Sequence, residues 1–326
     1  MLAPVLAAVL LASPAPSTPA PEPMGIALEG YPYPHPVKFL PVPVDGQDLR
    51  MAFMDVPPSG PPNGKTVLLL HGKNFFGAYW SATIRSLSAA GFRVVVPDQI
   101  GFGKSSKADV HYTFEFLAQS TKRLLDALAV PKAAVVGHSM GGMLAVRFAL
   151  MYPETTAGLV LENPIGLEDY REKVPYASLD ASYRTTLSPT RDGLERFYRS
   201  YFAQWREEYG LFADLAWRQT LGGEWPRAAR ASALTYEMIY TQPVVQDLPR
   251  LRVPTLLVIG QADRTTLGRG ALPAEVLATL GLYPELGRRA ARAIPGATLV
   301  EIEGVGHIPH LEVADRFDAV LLDFLR

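Results

Sequence analysis

The chain contains 326 residues, carries a formal net charge of −1 and has no cysteine. This length suffices for one large hydrophobic core with an inserted subdomain, and the near-neutral charge gives no indication of binding to nucleic acid or to an anionic membrane surface. The lack of cysteine in these residues excludes disulfides, thiolate metal sites and a cysteine nucleophile.

The first 23 residues differ in composition from the rest of the chain. Leu2–Ala12 is an apolar run of signal-peptide length that is too short to span a bilayer, and Ser13–Pro23 is rich in proline, alanine and serine. We therefore expect residues 1–23 to be a signal peptide and linker, and the protein to be exported to the periplasm or secreted. The alternative is a cytoplasmic protein with a disordered tail, because no lysine or arginine precedes the apolar run. No later segment is apolar enough for a membrane helix, so no membrane span is expected in the mature chain.

From about Pro36 onward, short apolar runs alternate with helical patterns. Val42–Met54, with Asp45-Gly46 at its centre, is typical of an antiparallel hairpin. Near-continuous apolar runs are expected of parallel strands that are covered on both faces. These runs are Thr66–Leu70, Val94–Val96, Ala133–Val136, Leu159–Leu161, Thr255–Ile259 and Thr298–Val300.

Helical patterns lie between the first four of these runs, at Ser81–Ala90, Thr113–Leu128 and Met140–Met151. Within the second pattern, leucines recur at helical spacing and form an apolar stripe. Strands that alternate with helices indicate an α/β fold, and the expected architecture is a mostly parallel central sheet with helices on both faces.

This alternation stops between about Glu168 and Leu251, where no strand pattern occurs. The segment contains 14 of the 32 aromatic residues of the chain. We expect a helical cap at residues 168–251, inserted into a core formed by residues 24–167 and 252–326. The simpler interpretation is that these rings only fill a small core of their own.

The most informative motif is Gly137-His138-Ser139-Met140-Gly141, which follows one apolar run and precedes a helical pattern. A serine on a sharp turn between a strand and a helix is exposed as a nucleophile, and glycines suit the crowded backbone of that turn. Ser139 is therefore the candidate nucleophile. Its alternative role is that of a helix N-cap.

A serine nucleophile needs a histidine base, and the chain has six histidines. His307 is the preferred candidate because it follows the last apolar run and a Gly-x-Gly turn, where a loop can carry an imidazole over the sheet edge. His310 is the second candidate, with the alternative role of a cap near the start of the final helix.

The base in turn needs a carboxylate that orients it. Asp263 lies just beyond the run Thr255–Ile259, at the expected end of a strand, and its alternative role is an ion pair with Arg264. Glu162 and Asp169 are the other candidates. The chain order Ser139, Asp263, His307 favours Asp263, because it is the order found in α/β-hydrolases.

Donors for an oxyanion are expected in the loop after Thr66–Leu70, which reads His71-Gly72-Lys73-Asn74. The backbone N–H groups of Lys73 and Met140 are the candidates for this oxyanion hole. The alternative interpretation of Lys73 is a solvated surface lysine. Further along, Asp98 is expected to hold a turn by accepting hydrogen bonds from local backbone N–H groups.

Taken together, these motifs resemble those of the α/β-hydrolase superfamily, over about residues 36 to 326. The resemblance is greatest to the capped esterases, lactonases and carbon–carbon hydrolases. The loop His71-Gly-Lys-Asn departs from the His-Gly-x-Pro form of epoxide hydrolases and haloalkane dehalogenases, which also use an aspartate at the position of Ser139. The matching segments are His71-Gly72, Asp98-x-x-Gly101-x-Gly103-x-Ser105, Gly137-His-Ser139-Met-Gly141, Gly260-x-x-Asp263 and Gly306-His307.

The resemblance and the triad together predict a serine hydrolase that cleaves a small to medium carboxylic ester through an acyl-enzyme. Its partner is then a small acyl substrate, and no metal or organic cofactor is implied. A lactonase, a carbon–carbon bond hydrolase and a proline-type aminopeptidase remain alternatives on the same fold. A non-catalytic protein that binds a small molecule is the alternative of a different class. The sequence leaves the oligomeric state open.

Overall fold

A computed structural model describes residues 21–326, in which the central feature is an eight-stranded sheet. The sheet order is β1-β2-β4-β3-β5-β6-β7-β8, with β3 to β8 parallel to one another and β2 antiparallel to both neighbours. The strands are β1 (Val37–Val44), β2 (Gln47–Val56), β3 (Thr66–Leu70), β4 (Arg93–Pro97), β5 (Ala133–His138), β6 (Thr156–Glu162), β7 (Thr255–Gly260) and β8 (Thr298–Ile302). Each of the six predicted runs lies within one of these strands.

Helices cover both faces of the sheet, which confirms the predicted α/β fold class. Helices α2, α3 and α9 pack on one face, and α1 and α11 pack on the other. The helices are α1 (Ser81–Ala89), α2 (Phe114–Ala127), α3 (Met140–Met151), α4 (Leu179–Leu187), α5 (Arg191–Arg199), α6 (Gly210–Thr220), α7 (Trp225–Thr241), α8 (Ala274–Leu277), α9 (Tyr283–Ala293), α10 (Pro309–Glu312) and α11 (Ala314–Leu325). None of the helices within residues 21–326 is both long and apolar enough to cross a membrane.

The two apolar layers explain why the central strands read as continuous apolar runs. Along β3, Val67 and Leu69 join the layer that contains α1 and α11, whereas Leu68 and Leu70 join the layer that contains α2 and α3. Successive side chains of a strand point to opposite faces, so a strand covered on both faces is apolar at every position.

The first two strands form the predicted hairpin. Asp45 and Gly46, which connect β1 to β2, both have positive φ angles, 49° and 70°. Two successive positive φ angles are typical of the tight turn whose twist matches paired antiparallel strands, and Asp-Gly is a favoured sequence for it.

The interval between β6 and β7 includes residues 168–251, the predicted helical cap, which is called the insertion from here on. It contains α4 to α7, in which α4 pairs with α7 and α5 pairs with α6. Four of its aromatic side chains join the core layer of α1 and α11: Tyr198, Tyr201, Phe202 and Tyr209. These four rings therefore pack against the sheet and its helices rather than into a separate core of the insertion.

The segment before β1 is also packed against the core. Met24 and Leu28 are buried in a small apolar cluster with Phe76 and Leu215, the latter from α6. The Met24 N–H donates to the Arg218 carbonyl at 2.9 Å, and the Leu28 carbonyl accepts from Lys104 Nζ at 2.7 Å. This segment consequently joins the insertion to the core. Residues 1–20 of the predicted signal peptide and linker lie outside the described residues.

Candidate active site

Ser139 sits between β5 and α3 in a strained turn. Its φ and ψ are 57° and −120°, a region that side-chain-bearing residues rarely adopt. A Cβ at Gly137 would lie 2.2 Å from the Gly141 carbonyl oxygen, and a Cβ at Gly141 would lie 2.2 Å from the Leu70 carbonyl oxygen. Both motif glycines are therefore required by close backbone contacts, and the turn projects Ser139 from the carboxyl edge of the sheet.

The two other preferred residues meet Ser139 at this edge. His307, in the loop after β8, has its Nε2 atom 2.9 Å from Ser139 Oγ and its Nδ1 atom 2.6 Å from Asp263 Oδ2. Asp263 follows β7, two strands away from β5 in the sheet. All three side chains are buried. Since a carboxylate can only accept at Nδ1, that nitrogen carries the proton of the neutral imidazole, and Nε2 is left to accept from the Ser139 hydroxyl.

Asn163 holds the Asp263 carboxylate and was not singled out by the sequence. Its Nδ2 donates to Asp263 Oδ2 at 2.8 Å, and its Oδ1 accepts from the Gly260 N–H at 2.8 Å. The Thr265 N–H donates to the other carboxylate oxygen at 2.7 Å. Three donors, including His307, therefore satisfy a carboxylate that has almost no access to solvent. The only sequence signal for Asn163 is its position directly after a buried strand.

The alternative acid and the alternative base pair with each other instead of with Ser139. The Glu162 carboxylate accepts from the His310 backbone N–H at 2.7 Å and lies 2.9 Å from His310 Nδ1. The His310 ring stacks on Trp80 with centroids 3.9 Å apart. Asp169, the third acid candidate, binds Arg171 at 2.6 Å. His310 is thus part of a buried pair behind the site rather than a simple cap of the final helix.

His138 links the loop of His307 to the loop after β3. Its Nε2 lies 2.8 Å from the His307 carbonyl oxygen, so Nε2 carries the proton and Nδ1 accepts from the Tyr79 hydroxyl at 3.0 Å. Tyr79 in turn accepts from the Gly72 N–H at 3.0 Å. Burial lowers the pKa of His138 well below its usual value, which keeps the ring neutral. This chain of three hydrogen bonds fixes the two loops relative to each other.

The loop after β3 passes directly against Ser139. A Cβ at Gly72 would lie 3.0 Å from Ser139 Cβ, so only glycine permits this approach. The N–H groups of Lys73 and Met140 form no hydrogen bond with any acceptor in the described part of the chain. Two backbone donors beside the elbow are therefore left available.

Side chains of the insertion enclose the site from above. The Tyr201 ring stacks on the His307 imidazole with centroids 5.1 Å apart, and its carbonyl accepts from the His307 N–H at 2.7 Å. The Tyr201 hydroxyl accepts from Asn74 Nδ2 at 3.0 Å. Only 6% of the Ser139 surface is exposed. The environment of Ser139 is consequently aromatic and nearly closed to solvent.

The Lys73 side chain differs from the surface lysine considered as its alternative. Its Nζ donates to three oxygens of α7: the Ser232 carbonyl at 2.9 Å, Ser232 Oγ at 3.1 Å and Thr235 Oγ1 at 3.0 Å. Burial lowers the pKa of Lys73 to about 7. Lys73 therefore bonds the insertion and is only partly exposed to solvent.

Asp98 accepts a hydrogen bond within its own turn, as expected, and also accepts hydrogen bonds from two other segments. Its carboxylate accepts from the Lys104 N–H at 2.7 Å within the loop. It also accepts from the Gly77 N–H at 2.6 Å and from the Tyr33 hydroxyl at 2.6 Å. Asp98 thus joins its own turn to the loop after β3 and to the segment before β1.

Comparison with known proteins agrees with this architecture. A family model described as the alpha/beta hydrolase family matches residues 67–320. The crystal structure of a probable hydrolytic enzyme from Pseudomonas aeruginosa PAO1 is 47% identical with a TM-score of 0.91, covering 94% of this chain and 99% of that one. Among curated proteins, the magnesium-chelatase 30 kDa subunit of Rhodobacter capsulatus is 32% identical, over 82% of this chain and 89% of its own length.

A second curated relative carries a hydrolytic activity in its name. It is a 2-hydroxy-6-oxo-6-phenylhexa-2,4-dienoate hydrolase from Burkholderia cepacia, 28% identical over 80% of this chain and 88% of its own length. The relatives thus share the fold while their names differ in the reaction. The sheet order and these matches together show that the chain belongs to the alpha/beta hydrolase family and is a hydrolase of that family.

Proposed function

We propose that this protein hydrolyses small to medium uncharged carboxylic esters through a covalent acyl-enzyme on Ser139. The observation that carries the proposal is the unbroken contact from Ser139 Oγ through His307 to Asp263, at 2.9 Å and 2.6 Å. Both distances are within hydrogen-bond reach of a nucleophile, its base and the group that orients the base.

In the first half of the proposed reaction, Ser139 Oγ attacks the ester carbonyl carbon while its proton moves to His307 Nε2. The tetrahedral intermediate collapses when the same proton passes to the leaving alcohol oxygen. In the second half, water attacks the acyl carbon, His307 takes and returns a proton, and the free acid departs. Asp263 stays ionised throughout and stabilises the imidazolium that forms twice.

The oxyanion of both tetrahedral intermediates requires donors that are already in place. The N–H groups of Lys73 and Met140 support this role, because neither has an acceptor within the described residues. Met140 directly follows Ser139, and Lys73 directly follows Gly72, which packs against Ser139. Since these donors belong to the backbone, they do not depend on the chemical nature of the side chains they carry.

The size and polarity of the proposed substrate follow from the surroundings of Ser139. We propose that residues 168–251 act as the cap of the site, because Tyr201 stacks on His307 and Tyr198 donates to the Asn74 carbonyl at 3.0 Å. Aromatic walls favour apolar acyl groups over charged ones. The nearly closed approach to Ser139 favours small molecules over lipid droplets or polymers.

Carbon–carbon bond hydrolysis is the second candidate, because the Burkholderia cepacia relative is named for the hydrolysis of a dienoate. The proline-type aminopeptidase has less support. Such an enzyme needs carboxylates around the substrate amine. Of the four candidate glutamates of the insertion, Glu195 pairs with Arg199 at 2.8 Å, and Glu237 accepts from the Tyr176 hydroxyl at 2.6 Å. The other two, Glu207 and Glu208, are exposed. A lactonase would use the same groups as an esterase and is distinguished only by its substrate.

The decisive test combines covalent labelling with a substrate panel. The wild-type protein is expected to react with a fluorophosphonate probe and to hydrolyse p-nitrophenyl acetate and butyrate faster than the palmitate. Ser139→Ala should abolish labelling and lower kcat by several orders of magnitude without changing the circular dichroism spectrum. Ser200→Ala, which removes an exposed serine of the insertion, serves as the matched control and should behave as wild type.

Each contrary result has a defined meaning. Labelling of Ser139→Ala at the wild-type rate would refute the choice of nucleophile. A wild-type protein that is labelled but cleaves a 2-hydroxy-6-oxo-dienoate far faster than any ester would replace the esterase proposal with the carbon–carbon hydrolase. A protein that is neither labelled nor active on the panel would support a non-catalytic binding role.

A further inference from the structure

The loop that carries the proposed oxyanion donor is held at Gly72 by Tyr79 of the core and at the next two residues by the insertion. Lys73 Nζ donates to Ser232 and Thr235 of α7, and Asn74 bonds Tyr201 and Tyr198 through its side chain and its carbonyl. Within the loop, Phe75 N–H donates to the Gly72 carbonyl at 3.3 Å, a long hydrogen bond. The conformation at Lys73 and Asn74 therefore depends on side chains more than 120 residues further along the chain.

The three acceptors of Lys73 match the capacity of its ammonium group. An ammonium has three N–H donors and no acceptor. The Ser232 carbonyl, Ser232 Oγ and Thr235 Oγ1 lie at 2.9, 3.1 and 3.0 Å. In the protonated form all three donors are engaged by neutral oxygens of one helix, and none is left to bind an anionic group of a substrate. The contact is thus better suited to holding two segments together than to recognising a ligand.

The geometry on the α7 side is equally specific. Ser232 and Thr235 are three residues apart and so share one face of the helix. Thr235 is completely buried, and its hydroxyl also donates to the Ala231 carbonyl at 3.0 Å. The helix therefore fixes the positions of the two acceptor residues, and the Lys73 side chain has to reach them.

We propose that Lys73 is a positioning residue that couples the placement of α7 to the geometry of the oxyanion hole. This inference rests on the proposed function, since it assigns the Lys73 N–H to the oxyanion. When α7 is seated, the ammonium draws the loop into the conformation that aims the N–H at Ser139. When the contact is lost, the loop is free to relax and the donor moves away from the oxyanion.

Coupling of this kind acts on the transition state more than on substrate binding. The carbonyl oxygen of a bound ester needs the donor far less than the oxyanion does, so kcat falls while KM changes little. Removal of one oxyanion donor costs about 100- to 1,000-fold in kcat in comparable enzymes. Because the donor is displaced and not removed, we expect a loss of about 10- to 100-fold.

The test is a double-mutant cycle on the full chain with p-nitrophenyl butyrate as substrate. Lys73→Met removes the ammonium and keeps the length of the side chain, and the variant Ser232→Ala/Thr235→Val removes the hydroxyl acceptors. Lys173→Met is the matched control. Lys173 also bonds a threonine carbonyl and hydroxyl, those of Thr279, but it is exposed and joins the insertion to the core outside the site described here.

Lys73→Met and Ser232→Ala/Thr235→Val should each lower kcat while KM stays within about threefold of wild type. The variant that combines all three substitutions should have a kcat at most about threefold below that of Lys73→Met. Full additivity would overturn the proposal, and so would wild-type kcat in Lys73→Met. Because the Ser232 carbonyl remains as an acceptor, Ser232→Ala/Thr235→Val should lose less kcat than Lys73→Met. Wild-type kcat in Ser232→Ala/Thr235→Val beside a large loss in Lys73→Met would overturn the coupling to α7.

Amide hydrogen exchange separates this proposal from the proposed function, because it needs no activity. Lys73→Met should speed exchange in residues 73–77 and in α7, whereas Lys173→Met should not. Unchanged exchange in Lys73→Met would refute the coupling even in an active enzyme. Faster exchange in a protein with no esterase activity and no fluorophosphonate labelling would keep the contact between loop and helix but refute its catalytic purpose.

Discussion

Replacing His310 with alanine should destabilise the protein strongly while leaving the chemistry of the active site in place. His310 is 1% exposed, and its imidazole is a partner of the completely buried Glu162 carboxylate at 2.9 Å. Removing one member of a buried pair leaves the other uncompensated, at a cost of about 3–5 kcal/mol. Loss of the stacking on Trp80 adds about 1 kcal/mol.

One contact limits this loss. The His310 backbone N–H still reaches Glu162 at 2.7 Å in the alanine variant, so the carboxylate keeps one donor. We therefore expect a decrease of about 3–5 kcal/mol in the free energy of unfolding as the sum of all three effects. Glu162→Gln is the matched control, since it keeps the volume and an acceptor for His310, and it should lose less than half as much.

Guanidinium unfolding followed by circular dichroism measures the loss, and steady-state kinetics at 25 °C on the folded protein measures kcat. His310→Ala should keep kcat within about threefold of wild type, whereas His307→Ala should lower kcat by several orders of magnitude with a smaller effect on stability. Wild-type stability together with lost turnover in His310→Ala would refute the reasoning and make His310 the base.

Asp263→Asn should preserve folding and lower kcat by up to about 10⁴-fold, because an amide at this position allows the His307 tautomer whose proton is on Nε2 instead of Nδ1. A kcat within tenfold of wild type would exclude Asp263 as the orienting group. The buried, neutral His138 has a lowered pKa, so below pH 6.5 the unfolded chain binds a proton that the folded chain does not, and the free energy of unfolding should fall as the pH drops through that range. His138→Gln should flatten this fall in urea titrations between pH 5 and 7, and an identical pH dependence in both proteins would contradict it. If the proposed export occurs, N-terminal sequencing of protein from the native host should find a mature chain that begins between Pro16 and Met24, and an intact Met1 would rule export out.

The local features of the fold could be read from the sequence because their physical causes are local. A strand covered on both faces must be apolar at each position, so the six apolar runs between Thr66 and Val300 predict the parallel strands of the sheet. The elbow at Ser139 needs glycines where Gly137 and Gly141 stand, since a Cβ at either would meet a backbone oxygen at 2.2 Å. The positions of Asp263 and His307 just after the last two apolar runs, together with the chain order of α/β-hydrolases, then led to the pair that meets Ser139 in the structure.

Tertiary structure decided which polar side chains become partners. Glu162 and Asn163 are adjacent and follow the same strand, yet one pairs with His310 and the other holds Asp263. Residue type limits the choice, since an amide can donate to Asp263 and a carboxylate cannot, but the sequence does not show which loops converge at the sheet edge and so does not identify either partner. In the same way, Lys73 could be a surface lysine on the sequence alone, and only the packing of α7 across the loop provides three acceptors for its side-chain nitrogen. Partners separated by more than 90 residues are selected by the packed fold, whereas turns and strands are selected by their own few residues.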